Sequence, residues 1–127
     1  MAIQISGTTV IDNSRNLTNV VAITASSDIT ASGNVTAYSD ETLKDNIQTI
    51  ENALEKVLSL RGVEFDRNDI EGNPHQIGVI AQEIEKVIPE VVMTDSKGIK
   101  SVAYGNLIGL LIEAIKQQQE EINNLKK

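Results

Sequence analysis

Between Ile23 and Asp40 a block of six residues occurs three times: an aliphatic residue, Thr, Ala, two variable positions, then Asp or Asn. The blocks are Ile23-Thr24-Ala25-Ser26-Ser27-Asp28, Ile29-Thr30-Ala31-Ser32-Gly33-Asn34 and Val35-Thr36-Ala37-Tyr38-Ser39-Asp40. A short fixed period of this kind marks a repetitive fibrous or solenoid structure. One aliphatic side chain in six cannot build a core within one chain. Three chains wound about a common axis, each offering Ile23, Ile29 and Val35, would bury them. The repeat therefore points to an intertwined β stalk. A disordered Ser/Thr linker or a three-turn solenoid are the bland alternatives.

Upstream, Ile3 and Ile5 alternate with polar residues and Thr8-Thr9-Val10-Ile11 is β-branched, so short strands are expected before a turn at Asp12-Asn13-Ser14. Aromatic residues are only 2% of the 127-residue chain, so any core must rest on Ile, Val and Leu. The formal net charge of -7 argues against a nucleic-acid partner, which needs clustered Lys and Arg. With no cysteine there is no thiolate metal site, and the acidic residues form no ligand cluster, so neither metal nor cofactor is expected. The longest apolar run, Leu107 to Ile112, is too short to span a bilayer, so no membrane partner is expected either.

The pattern changes at Thr42. Leu43, Ile47, Ile50, Leu54 and Val57 step by four and three, which predicts one amphipathic helix, with Gly62 as its C′ residue. Val63-Glu64-Phe65 reads as a strand, Glu71-Gly72-Asn73-Pro74 as a turn holding His75, and Ile77 to Ile80 as a buried strand. A short helix over Ala81 to Val87 stops before Pro89, and Asp95-Ser96-Lys97-Gly98 closes a hairpin between Val91-Val92-Met93 and Ile99 to Val102. From about Asn106 onward, Ile108, Leu111, Ile115, Gln118, Ile122 and Leu125 keep the spacing of a coiled-coil seam, with Gln118 as a register residue. The seam says oligomer and leaves two or three strands open; the stalk favours three.

With these elements placed, the second half resembles the intramolecular chaperone domains of the S74 peptidase family, found on phage tail spikes and fibres. The resemblance rests on Ser39-Asp40-Glu41-Thr42-Leu43-Lys44-Asp45-Asn46-Ile47, then Gly78-Val79-Ile80-Ala81-Gln82-Glu83-Ile84, Pro89-Glu90-Val91-Val92, Gly98 with Val102-Ala103-Tyr104, and Leu107 through Leu111 to Ala114-Ile115-Lys116. Family members often carry Arg where Thr42 or Leu43 stands. What the resemblance implies is an α+β homotrimer: a short intertwined β stalk over residues 1–38, then over 39–127 a helical domain with a small β-sheet and a C-terminal coiled-coil helix. It further implies that the domain trimerises, registers the upstream fibre stalk of the same chain, and then cuts itself free. Ser39 would be the nucleophile, Lys44 the general base and Tyr38-Ser39 the scissile bond, an autocatalytic endopeptidase with no external substrate. The stalk would stay in the virion tail fibre and the chaperone part would be released in the host cytoplasm. A permanent trimerisation and attachment tip, on a fibre or a surface adhesin, is the competing function.

The chemistry sets its own conditions. A serine hydroxyl needs a base, and a lysine serves only when neutral, which its ordinary pKa of about 10.4 resists. Burial at a subunit junction would favour the neutral amine and tie cleavage to assembly. Asp40, Glu41 and Asp45 oppose it unless they point away or are paired. Ser39 at a helix start would leave free N–H groups to hold an oxyanion on the Tyr38 carbonyl. Gln82 and Glu83 are possible supporting residues, with helix capping the plainer role. On residues alone, Ser39 is also readable as one more turn residue of the repeat.

Overall fold

The computed structural model describes residues 1–127, which divide into two compact units, Met1–Leu43 and Lys44–Lys127. In the first, β1 (Ile3–Ile5) pairs antiparallel with β2 (Thr8–Ile11) through a Ser6-Gly7 turn, both residues at positive φ (50° and 80°). That backbone matches the twist of a tight hairpin, and glycine adopts it at no steric cost. Asp12 then organises the expected turn: its carboxylate accepts the Ser14 and Asn16 N–H groups, each at 2.9 Å, and the Asn16 side-chain amide. A bridge from Ile11 to Leu17 closes it. From Val20 to Asp40 there is neither helix nor strand, and Ile23, Ile29 and Val35 are all exposed.

The second unit is built on two helices, α1 (Ala53–Leu58) and α3 (Leu107–Leu125), with a short α2 (Ala81–Glu85) between. Ala53, Leu110 and Ala114 are buried, with Leu54, Val57, Leu60 and Ile88 packed around them. Small residues at 53 and 114 let α1 and α3 approach closely. Gln117 adds a polar tie, its side-chain oxygen accepting the Leu54 N–H at 2.9 Å. That N–H belongs to the unsatisfied first turn of α1, whose Asn52 makes no side-chain cap.

Two separate hairpins flank the helices rather than the one small sheet expected: β3 (Val63–Asp66) with β4 (His75–Gly78), and β5 (Val92–Thr94) with β6 (Lys100–Val102). The turn of the first contains Gly72 and Asn73 at positive φ, and that of the second Gly98. Asp95 locks the second turn by accepting the Lys97 and Ile99 N–H groups. No helix is long and apolar enough to cross a membrane.

Four expectations are corrected. The helix from Leu43 to Val57 does not form: Glu41–Leu43 is a single 3₁₀ turn, and α1 begins only at Ala53. Asn46 and Asn52 take left-handed φ values of 54° and 53°, which a continuous right-handed helix cannot contain. Gly62 is not a C′ residue, because α1 ends four residues before it with Ser59 as the cap. The strand expected at Ile77–Ile80 is instead His75–Gly78, which places His75 in the strand rather than the turn, and Ile77 is 77% exposed.

One junction fixes β4 against the start of α3. The Tyr104 hydroxyl accepts the Val79 N–H at 3.3 Å and lies 2.7 Å from where a Cβ on Gly78 would stand. Gly78→Ala should therefore lower stability by about 1–3 kcal/mol, the range for overpacking. In a thermal melt series, Tyr104→Phe combined with Gly78→Ala should lose less than the two single changes together, since the hydroxyl that clashes is gone. Strict additivity would contradict this contact.

Candidate functional site

Two features bear on function: the residues of the proposed junction and the outer face of α3. Tyr38 and Ser39 lie near the end of the first unit in chain that is neither helix nor strand, and Lys44 is the first residue of the second; all three are exposed. Between them the chain turns on Asp40. Its side chain accepts the Thr42 N–H at 2.8 Å and also the Thr42 hydroxyl, and its carbonyl accepts the Leu43 N–H at 3.1 Å. The Thr42 hydroxyl and amide hold the Asp40 carboxyl below its ordinary range. Thr42 thus has a definite partner in a motif where arginine is common.

This geometry changes the expected oxyanion site. The N–H groups of Thr42 and Leu43, two of the donors that a helix start would have offered, are already taken by Asp40. It also answers the charge objection in part, since Asp40 is engaged with Thr42.

Gln82 and Glu83 open α2. Gln82 is exposed, and Glu83 binds Arg61 through two parallel hydrogen bonds, Nε to Oε2 at 3.0 Å and Nη2 to Oε1 at 2.8 Å. The Arg61 hydrogen bonds and charge hold the Glu83 carboxyl below its usual range, and Glu83 in turn raises Arg61. Glu83 therefore ties α2 to the chain leaving α1. Sequence reading missed this partner, 22 residues away and outside the local pattern. His75 is exposed and lies 2.7 Å from Asp66 across the β3–β4 hairpin.

The outer face of α3 is the larger feature. Leu110, Ala114 and Gln117 point at α1, while Ile108 (59% exposed), Ile112, Ile115 (64%) and Ile122 form an apolar stripe on the opposite side. At about 100° per residue, Gln119 stands near the middle of that stripe, and Gln118 stands on its edge beside the exposed Leu111 and Leu125. Gln119 donates to the Asn123 side chain at 2.9 Å.

The surface of the whole chain carries the same message. A folded monomer of 13.8 kDa is expected to expose about 6,600 Å². This chain exposes 11139 Å² and buries only five hydrophobic residues, Ala53, Ile84, Val91, Leu110 and Ala114. A single copy does not bury what its composition provides.

Comparison with known proteins agrees with this picture. Residues 39–93 match the family model described as the chaperone of endosialidase, peptidase S74. The chain is 39% identical over 95 residues to the long tail fiber protein Gp37 of Enterobacteria phage K3, 69% of this chain and 8% of that protein. It is 36% identical over 96 residues to Gp37 of Enterobacteria phage M1, covering 38% of it, and 31% identical over 98 residues to Gp37 of Salmonella phage S16, covering 13%. The chain thus spans well under half the length of these relatives.

The Arg61–Glu83 pair makes a checkable prediction. The folded pKa of Glu83 is depressed, so its contribution is fully present above the unfolded value and is lost as pH falls through the folded one. Thermal melts should place Arg61→Ala slightly below the parent at pH 7, the small effect of an exposed pair, with the gap closing as Glu83 protonates. A gap unchanged down to pH 2 would contradict the pairing.

Proposed function

This chain carries a chaperone-of-endosialidase domain, and from that premise we propose that it is an intramolecular chaperone of a phage tail fibre, which trimerises, registers the stalk strands and then cuts itself from them between Tyr38 and Ser39. The observation that carries the reading is the outer stripe of α3: four isoleucines left 40–64% exposed in the single chain, on the longest helix of the fold. Three such helices side by side bury the stripe, as coiled-coil seams do. Parallel association also brings the three repeats together, so that Ile23, Ile29 and Val35 share one axis. The fibre relatives support a location in the virion tail, and in this reading residues 39–127 leave it after assembly.

In this reading Ser39, immediately after the bond, is the nucleophile. The Ser39 Oγ attacks the Tyr38 carbonyl carbon while a neutral Lys44 Nζ takes the hydroxyl proton. The C–O bond forms, the C–N bond to Ser39 breaks, and the proton passes from Lys44 to the departing amine. Tyr38 is then held as an ester on Ser39, which water hydrolyses to a free carboxylate and hydroxyl. Enclosure by neighbouring copies supplies the desolvation that a neutral lysine needs.

Intact mass under denaturing conditions tests the reading. The parent chain should yield an 89-residue species, residues 39–127 (127 − 39 + 1). Ser39→Ala and Lys44→Ala should each stay whole while remaining trimeric in native mass spectra. A parent that stays whole would make the domain a permanent trimerisation tip instead. Cleavage that survives both substitutions would end the Ser–Lys assignment.

A further inference from the structure

The proposed nucleophile and base are five residues apart, and the path of the chain between them decides whether they can meet. Extended chain advances about 3.3 Å per residue, so on it Ser39 and Lys44 would stand roughly 17 Å apart. That exceeds what a serine and a lysine side chain bridge together. The chain does not run extended here: Glu41–Leu43 forms one 3₁₀ turn. Such a turn advances only about 2 Å per residue and completes a circle in three residues, which draws its two ends together.

Packing does not hold that turn. None of its residues is buried, and Leu43, its one large apolar side chain, is 67% exposed. A lone helical turn in water has little stability of its own. Three hydrogen bonds instead converge on Asp40, the residue between Ser39 and the turn. One carboxylate oxygen accepts both the Thr42 N–H, at 2.8 Å, and the Thr42 hydroxyl, and the Asp40 carbonyl accepts the Leu43 N–H at 3.1 Å. Short polar side chains close turns in this way by taking the backbone amide two residues on. The Thr42 bonds hold the Asp40 carboxyl below its ordinary range, so it is an ionised acceptor at neutral and alkaline pH.

We propose that Asp40 is a positioning residue for the cut: its carboxylate, by capturing the Thr42 amide and hydroxyl, folds residues 40–43 so that Lys44 returns toward Ser39. Asp40 acts through the backbone and not on the reacting atoms. It works as a hydrogen-bond acceptor rather than as a charge, since a carboxylate beside a lysine favours the protonated amine, which is no base. This inference rests on the self-cleavage reading and adds to it which side chain sets the geometry of the dyad.

Cell-free synthesis of the full chain, sampled over time by denaturing mass spectrometry, gives the rate at which residues 39–127 appear. Asp40→Ala should slow the cut by about tenfold or more, the effect of losing a hydrogen bond to a charged group, while native mass spectra and thermal melts match the parent. Asp40→Asn should cut within about threefold of the parent, because an asparagine oxygen accepts the same amide. Thr42→Ser should keep the rate and Thr42→Val lower it. Parental cutting by Asp40→Ala would overturn the positioning role. So would an Asp40→Asn as slow as Asp40→Ala, which would make the charge the operative feature. Lost assembly or a lower melt in Asp40→Ala would also overturn it, by marking a folding residue. In each of these cases a parent that cuts and a Ser39→Ala that stays whole leave the self-cleavage reading standing. A parent that stays whole overturns that reading and this inference with it.

Discussion

The structure depends on α3 having two apolar faces and only one of them satisfied within the chain. The inner face, Leu110 and Ala114 with Gln117, holds α1 and so closes the small core of the second unit. The outer face has nothing of its own to meet. Fully burying an exposed isoleucine is worth about 1.5–3 kcal/mol, so these four side chains, each 40–64% exposed, favour association by some fraction of that apiece. The assembly proposed for this chain starts from that drive, and the stalk repeat, whose Ile23, Ile29 and Val35 are also exposed, would share in it.

Such a division of labour fits a chaperone that works on its own chain. The inner face meets α1 of the same chain, across 63 residues of sequence, so this small core is closed within one copy. In the proposed assembly the outer face brings copies together in parallel, which is what a stalk with weak register of its own requires. In such an assembly a polar glutamine in an otherwise apolar seam would cost some stability and favour one register over its neighbours. Cutting only after assembly would make strand alignment irreversible, with the chaperone no longer needed.

Much of this was legible in the residues. The 3-4 spacing from Ile108 to Ile122 identifies α3 and its exposed apolar stripe, and Gly and Asp at the hairpin turns identify β5–β6 and the Glu71–Pro74 turn. The resemblance of Ser39 to Ile47 and of Gly78 to Ile84 to the S74 motifs led to the family that the comparison found. What spacing could not reveal was backbone handedness. Leu43, Ile47 and Ile50 have helical periodicity, but two asparagines in the left-handed region stop a helix that apolar spacing alone would continue. Equally hidden were partners distant in sequence. Gln117 supplies the Leu54 N–H with the acceptor that Asn52 does not, and Glu83, readable as a helix-start residue, is bound to Arg61. The site residues were named by motif; the Asp40–Thr42 turn that shapes their connection needed coordinates.

Sedimentation equilibrium of the chain at micromolar concentration tests the central claim most directly, because it reports how many copies share the outer face of α3. The account predicts three chains per particle, with Ile115→Asp in the middle of the stripe shifting the population to single chains that keep the helix content of the inner core. A parent chain that sediments as a stable monomer near its 13.8 kDa mass would contradict it.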